Sequence, residues 1–149
     1  MTTLMRRLIS LLLCATTAAM APSSAWAGPV GGVSGTVLAK GVSAGTISAE
    51  NHGTTDVVVR HIVIEPGGST GWHYHSGALI AVVHTGTLTR QLDDCSVETS
   101  TAGQSFVEPT GRDHVHIGRN LGAETVELYV TYLIPAGDPL AVDAPDPGC

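Results

Sequence analysis

Residues 66–88, PGGSTGWHYHSGALIAVVHTGTL, set His73 and His75 one residue apart at the head of an apolar, β-branched run that closes on a Thr-Gly turn signal. In an extended chain, residues i and i+2 point to the same face. His73 and His75 therefore project together, and Trp72 and Tyr74 project the other way. A single His-x-His carries little weight. A second one follows in residues 111–120, GRDHVHIGRN, where His114 and His116 are spaced identically and are expected to share a face. Two such strands set antiparallel in one barrel would bring three or four imidazoles to one interior point. Imidazole is a ligand for Zn, Cu, Fe and Ni near neutral pH. The alternative for each pair alone is a surface or hydrogen-bonded histidine.

Outward from these pairs the chain shows almost no helical periodicity. Short β-branched runs alternate with Gly, Pro, Asn and Asp signals, the pattern of an all-β sandwich or barrel. Strands are expected at Thr36–Ala39, Thr46–Ala49, Asp56–Glu65, Gly71–His75, Leu79–His84, Gly86–Leu92, Ser96–Thr99, Ser105–Glu108, His114–Arg119 and Glu124–Ile134. Both faces of Asp56–Glu65 are fairly apolar, which predicts a central strand. In the last strand Val126, Leu128, Val130 and Tyr132 form the apolar face, against Thr125, Glu127, Tyr129 and Thr131. The tail, PAGDPLAVDAPDPGC over residues 135–149, reads as an irregular strap.

The first 27 residues have the layout of a secretory signal: Arg6 and Arg7, an apolar run over residues 8–20, then Ala25-Trp26-Ala27 for cleavage. That run is shorter than the roughly 20 residues of a membrane span. No other segment could span a bilayer. A secreted, extracytoplasmic domain over residues 28–149 follows, with a short N-terminal segment at 28–55, a barrel at 56–134 and the strap at 135–149. Cysteine usage agrees with export. Cys14 leaves with the signal, and the remaining pair, Cys95 and Cys149, can bridge and hold the tail. The net charge of −6 and the lack of a basic patch argue against nucleic-acid binding.

The two histidine segments, with their spacing, resemble the cupin family. In residues 67–86, Gly67, His73, His75 and Gly86 fall as in the first cupin motif. In residues 103–120, Gly103, Pro109-Thr110-Gly111 and His114 fit the first part of the second motif, and His116 and Asn120 fit its last part. The resemblance spans about residues 56–134 and implies a jelly-roll β-barrel with one divalent metal ion (Zn, Fe, Mn, Ni or Cu) held by His73, His75 and either His116 or His114. Counting from Pro109 favours His114, and counting back from Asn120 favours His116. An extra residue is absorbed more easily in the PTGRD loop than in a strand, which tilts the choice to His116. The sequence departs from the pattern at Leu79, where the first motif carries a glutamate ligand. Without it the site would be more positive and would favour an anionic partner, or be weaker.

The resemblance further implies a metal-dependent enzyme acting on a small polar or anionic molecule, or a non-catalytic module binding metal or a small ligand, and admits a homodimer paired through strands. Glu108 is the carboxylate nearest the second motif and could replace the missing ligand, although a solvated strand end is its default role. By parity with Leu79, His84 faces outward. His61 is expected as a satisfied core residue and His52 as a loop residue. Arg112 and Asp113 are expected in a surface turn, and Trp72 and Tyr74 in packing. No acid or base group stands out as a catalyst.

Overall fold

The structure is a computed structural model that describes residues 34–149. The expected signal segment, residues 1–27, lies outside the described residues. Nine strands follow in order: β1 Thr55–Ile64, β2 His73–Tyr74, β3 Leu79–Thr85, β4 Thr87–Leu92, β5 Val97–Thr101, β6 Ser105–Glu108, β7 His116–Arg119, β8 Val126–Pro135 and β9 Val142–Asp143. One sheet has the order β1-β8-β3-β6 and the other β5-β4-β7-β2-β9. The ladders between these strands are all antiparallel. The architecture is the expected single-domain jelly roll. Among the described residues no helix is long and apolar enough to cross a membrane.

The core lies between the sheets. Val126, Leu128, Val130, Tyr132 and Ile134 of β8 are buried together with Leu79, Ala81 and Val83 of β3, Ile64 of β1 and Leu88 of β4. The strict alternation along β8 is the one foreseen from sequence. His84 is exposed, as its parity requires. The β3–β4 reversal turns on Gly86, whose φ of 72° is open to glycine and whose Cβ would fall 2.8 Å from the Thr125 carbonyl oxygen.

Three expectations fail. Thr36–Ala39 and Thr46–Ala49 form no strand; the only ladder contact of that segment is an isolated parallel bridge from Val42 to Gln104. β1 is an edge strand rather than a central one, with Val57, Val59 and Val63 at 65%, 64% and 50% exposure. Valine fits any pleated surface, so an apolar run shows a strand without showing how deeply it is covered. The tail, expected to be irregular, contributes β9, which pairs with β2 opposite His73 and Tyr74. The end of the tail is fixed by the Cys95–Cys149 disulfide, with Cα atoms 5.4 Å apart.

Candidate metal centre

β2 lies between β9 and β7, and His73 is directly opposite His116. This cross-strand pair joins the two histidine segments, because opposed residues share a face. His75 follows just beyond β2, on the same side as His73. The rings of His73, His75 and His116 stand with centroids 4.5–5.2 Å apart. All three are buried.

Each ring is oriented by its Nδ1. The Nδ1–H of His73 donates to the Gly71 carbonyl at 2.9 Å, that of His75 to the Leu140 carbonyl at 2.6 Å, and that of His116 to the His114 carbonyl at 2.8 Å. A carbonyl oxygen only accepts, so the proton sits on Nδ1 and Nε2 keeps its lone pair. The three lone pairs are thereby available at one point.

Glu108 completes the group. Its Oε2 lies 3.2 Å from His75 Nε2 and 3.0 Å from His116 Nε2. Neither contact is aligned as a hydrogen bond, and both ring nitrogens are buried without a hydrogen-bond partner. One ligand atom from each of His73, His75, Glu108 and His116 lies within 4.8 Å of the others. Ligands around a four-coordinate ion with bonds of ~2.1 Å sit roughly 3.4 Å apart. Close but misaligned donors, orphaned in a buried site, are the arrangement that a cation at their centre would satisfy.

The carboxylate enters from Glu108, which the sequence offered as a replacement but assigned by default to a solvated strand end. Leu79 of β3 pairs directly with Glu108 of β6. The carboxylate absent from position 79 thus stands at its cross-strand partner, on the same face and one strand over. Glu108 is held in place by Arg90, whose guanidinium is buried, stacks 3.7 Å over the Phe106 ring, and reaches Glu108 Oε1 at 3.5 Å and Glu98 at 2.5 Å.

Titration behaviour follows from this packing. Burial raises the Glu108 pKa, but His116, His75 and Arg90 overcome it and hold the carboxyl well below its ordinary range. Burial lowers the His116 pKa, and the Glu108 carboxylate more than offsets this, leaving it above the usual imidazole value. His73 is pushed down, chiefly by burial, with the His116 and His75 imidazoles adding to the effect.

The remaining candidates fall elsewhere. His114 is exposed in the loop before β7 and does not join the cluster. The expectation that it shares a face with His116 assumed a strand starting at His114, whereas β7 starts at His116. His114 contributes its carbonyl instead of its ring. Glu108 is buried and not a solvated strand end. His61 is exposed rather than in the core, paired with Glu127 at 2.8 Å and stacked on Tyr129. His52, Arg112 and Asp113 are exposed, as expected. Trp72 and Tyr74 are half-buried beneath Arg119 and Arg112, in the packing role foreseen for them. Asn120 is fully buried and structural: its amide donates to the Ile64 and Glu124 carbonyls, and its backbone N–H and C=O bond to Gly68 and Gly67. It thereby ties the end of β7 to the loop that leads into His73.

The cluster opens on a cavity of ≈ 60 Å³ whose other walls include Ile62, Ile64, Leu88, Phe106, Leu128 and Tyr132. That leaves room for roughly four water-sized groups. Tyr132 sits edge-on to His75 with ring centroids 5.8 Å apart. Its pKa is raised mainly by burial, so it stays a hydrogen-bond donor through neutral pH.

A family model described as "Cupin domain" matches residues 60–132. An uncharacterised conserved protein with a double-stranded β-helix domain from Klebsiella pneumoniae subsp. pneumoniae MGH 78578 is similar at 24% identity, over 62% of this chain and 77% of that one, with a TM-score of 0.51. A structure of the DMSP lyases RdDddP and RnDddQII is similar at 20% identity, over 60% of this chain and 44% of that one, with a TM-score of 0.52. At these identities the likeness is one of fold. No match was found among curated proteins.

Proposed function

The chain belongs to the cupin superfamily, and on that premise we propose that it holds one divalent metal ion through His73, His75, Glu108 and His116 and presents it to a small molecule. The observation that carries this is the pair of buried, partnerless Nε2 atoms of His75 and His116, turned inward by carbonyls on their Nδ1 atoms. The ion would be Zn, Fe, Mn, Ni or Cu, which accept imidazole and carboxylate together. When bound, such an ion supplies Lewis-acid polarisation or an acidified water.

The reading of a metal-dependent enzyme on a small polar or anionic substrate rests on Tyr132. It places a hydroxyl group that stays protonated in the wall of the same cavity, a hydrogen-bond donor able to orient a bound substrate. The second reading, a non-catalytic binding module, is favoured by the small, mostly apolar cavity. The Cys95–Cys149 bridge supports an extracytoplasmic location.

Metal analysis of the purified protein tests the site, with His73→Ala/His75→Ala, His116→Ala and His114→Ala variants alongside. The expected result is one equivalent of metal in the wild type and in His114→Ala, and loss in the other two. A wild type that takes up none of the five metals on reconstitution would refute the reading, as would a His73→Ala/His75→Ala variant that retains its metal. Turnover of small acids and phenols by the loaded form, absent from the stripped form, separates enzyme from module.

A further inference from the structure

We infer that Arg60, beside the cavity-lining Tyr132, forms with it a carboxylate-recognition element, so that the ligand is a small carboxylic acid. This rests on the reading of the cavity as a ligand site and names the chemical class it takes.

Arg60 breaks a pattern. On β1, Val58, Arg60, Ile62 and Ile64 share one face, and Ile62 and Ile64 line the cavity. A guanidinium on that stripe is out of place in a purely structural role. The other face of β1 is the exposed one, carrying Val57, Val59, His61 and Val63, and there His61 already takes Glu127 as its ion partner. Among the described residues Arg60 is in no ion pair. Its side chain turns to Tyr132, with the guanidinium carbon 5.9 Å from the ring centroid. Tyr132 in turn lies 5.8 Å from the His75 ring. Two steps of under 6 Å each therefore lead from the Arg60 guanidinium, past a phenol, to the histidine cluster.

Arg90 provides the contrast. It is also near the cluster, but it is buried and committed to Glu98 and Glu108, so it orients a ligand side chain and has no charge to spare. Arg60 is solvent-accessible and, among the described residues, has no carboxylate partner. A planar guanidinium matches a carboxylate in a two-point fork, which an ammonium cannot do. The Tyr132 hydroxyl adds a neutral donor at the same edge. The apolar walls of the cavity, Ile62, Ile64 and Leu128 among them, accept a short carbon chain.

The test uses propionate and its neutral analogue propionamide as probes, titrated by NMR into the metal-loaded and the metal-free protein. The variants are Arg60→Gln and Arg60→Lys. Propionate is expected to bind the wild type at least about tenfold more tightly than propionamide, the scale of one charge-assisted hydrogen-bonded contact. Arg60→Gln should remove that preference in the metal-free form and reduce it in the metal-loaded form while metal content is unchanged, and Arg60→Lys should restore it in part. Equal binding of the two probes to the wild type would overturn the inference. So would an Arg60→Gln variant that binds propionate as the wild type does. If the protein takes up no metal and Arg60→Gln still weakens propionate binding, the metal reading falls and this one stands.

Discussion

Because Leu79 and Glu108 face each other across the β3–β6 ladder, exchanging them should move the metal-binding carboxylate without losing it. The two positions lie one interstrand spacing apart, about 4.8 Å, on a shared face. Both are buried, at 2% and 8% exposure, so either side chain points into the same enclosed space. Glu108→Leu removes the one carboxylate of the cluster. Loss of a mere outer-shell partner costs a metal site 10–100-fold, so loss of the charged ligand should cost at least about 100-fold, or ~2.7 kcal/mol. Arg90 keeps Glu98, so the fold itself should lose less than the 3–5 kcal/mol of a fully broken buried pair, about 2 kcal/mol. Leu79→Glu alone sets two carboxylates opposite each other with Cβ atoms about 5 Å apart, and should destabilise the metal-free protein. The double variant Leu79→Glu/Glu108→Leu restores a single carboxylate and should recover at least about tenfold, or ~1.4 kcal/mol, of the affinity lost in Glu108→Leu.

Competition against a chelator measures these affinities with Zn²⁺, and the visible spectrum of the Co²⁺ form reports whether the oxygen ligand returns. A double variant that binds no more tightly than Glu108→Leu would refute the equivalence of the two positions. A Glu108→Leu variant within about threefold of the wild type would refute the role of Glu108 as ligand. The two substitutions touch one another, so the coupling between them is the quantity of interest and additivity is the outcome to be excluded.

Metal-free protein should be most stable near pH 6.5. His116, raised above its unfolded value, adds stability that is complete below ~6.5 and lost as pH rises through its folded value; His73, lowered, subtracts stability as pH falls below ~6.5; and Glu108, depressed, adds stability that is lost only as pH drops through its folded value, below the ordinary carboxylate range. Thermal melts across pH test this, and an alkaline slope that survives in His116→Ala would contradict it. Metal must displace the His116 proton, so the increase in melting temperature on adding Zn²⁺ should widen above that pH; an increment that shrinks instead would count against His116 as ligand. Cys149→Ala should cost about 4 kcal/mol by the chain-entropy model for a 54-residue separation and should loosen β9 beside His73; denaturant melts read the cost, and a loss under 1 kcal/mol would refute the tail's tethering role. Gly77→Ala places a Cβ 1.9 Å from the Leu133 carbonyl oxygen, so the β3–β8 junction must shift, with an expected loss of over about 2 kcal/mol; an unchanged melt would show that the junction gives way freely.

The all-β class, the alternating face of β8 and the shared spacing of the two histidine segments were legible because each is a local pattern of chain, repeated in the case of the histidines. Depth of burial was not: β1 is the richer in β-branched residues, yet it lies at an edge and β8 inside, since position in a sheet depends on strands far away in sequence. The choice between His114 and His116 turned on where β7 begins, a boundary of two residues that local pattern does not resolve. Arg90 and Leu140 carried no local signal at all, because what they do, gripping Glu108 and the His75 ring, exists only once β4, β6 and the tail are brought together.

The carboxylate is the instructive failure. Linear spacing asks for it at position 79, finds leucine and registers a loss. The ion that the cluster fits responds only to where an oxygen stands in space, and β3–β6 is a non-sequential pair with β4 and β5 between its strands. Any residue directly opposite position 79 can deliver its side chain to the same face, and a register slip of one residue would turn Glu108 away from it. What the chain specifies is therefore the register of the ladder, which the buried run of Leu79, Ala81 and Val83 fixes by its alternation, and that register keeps a carboxylate beside the three imidazoles although position 79 is leucine. Sequence departures at ligand positions in such barrels are best judged against the cross-strand partner before a site is read as lost.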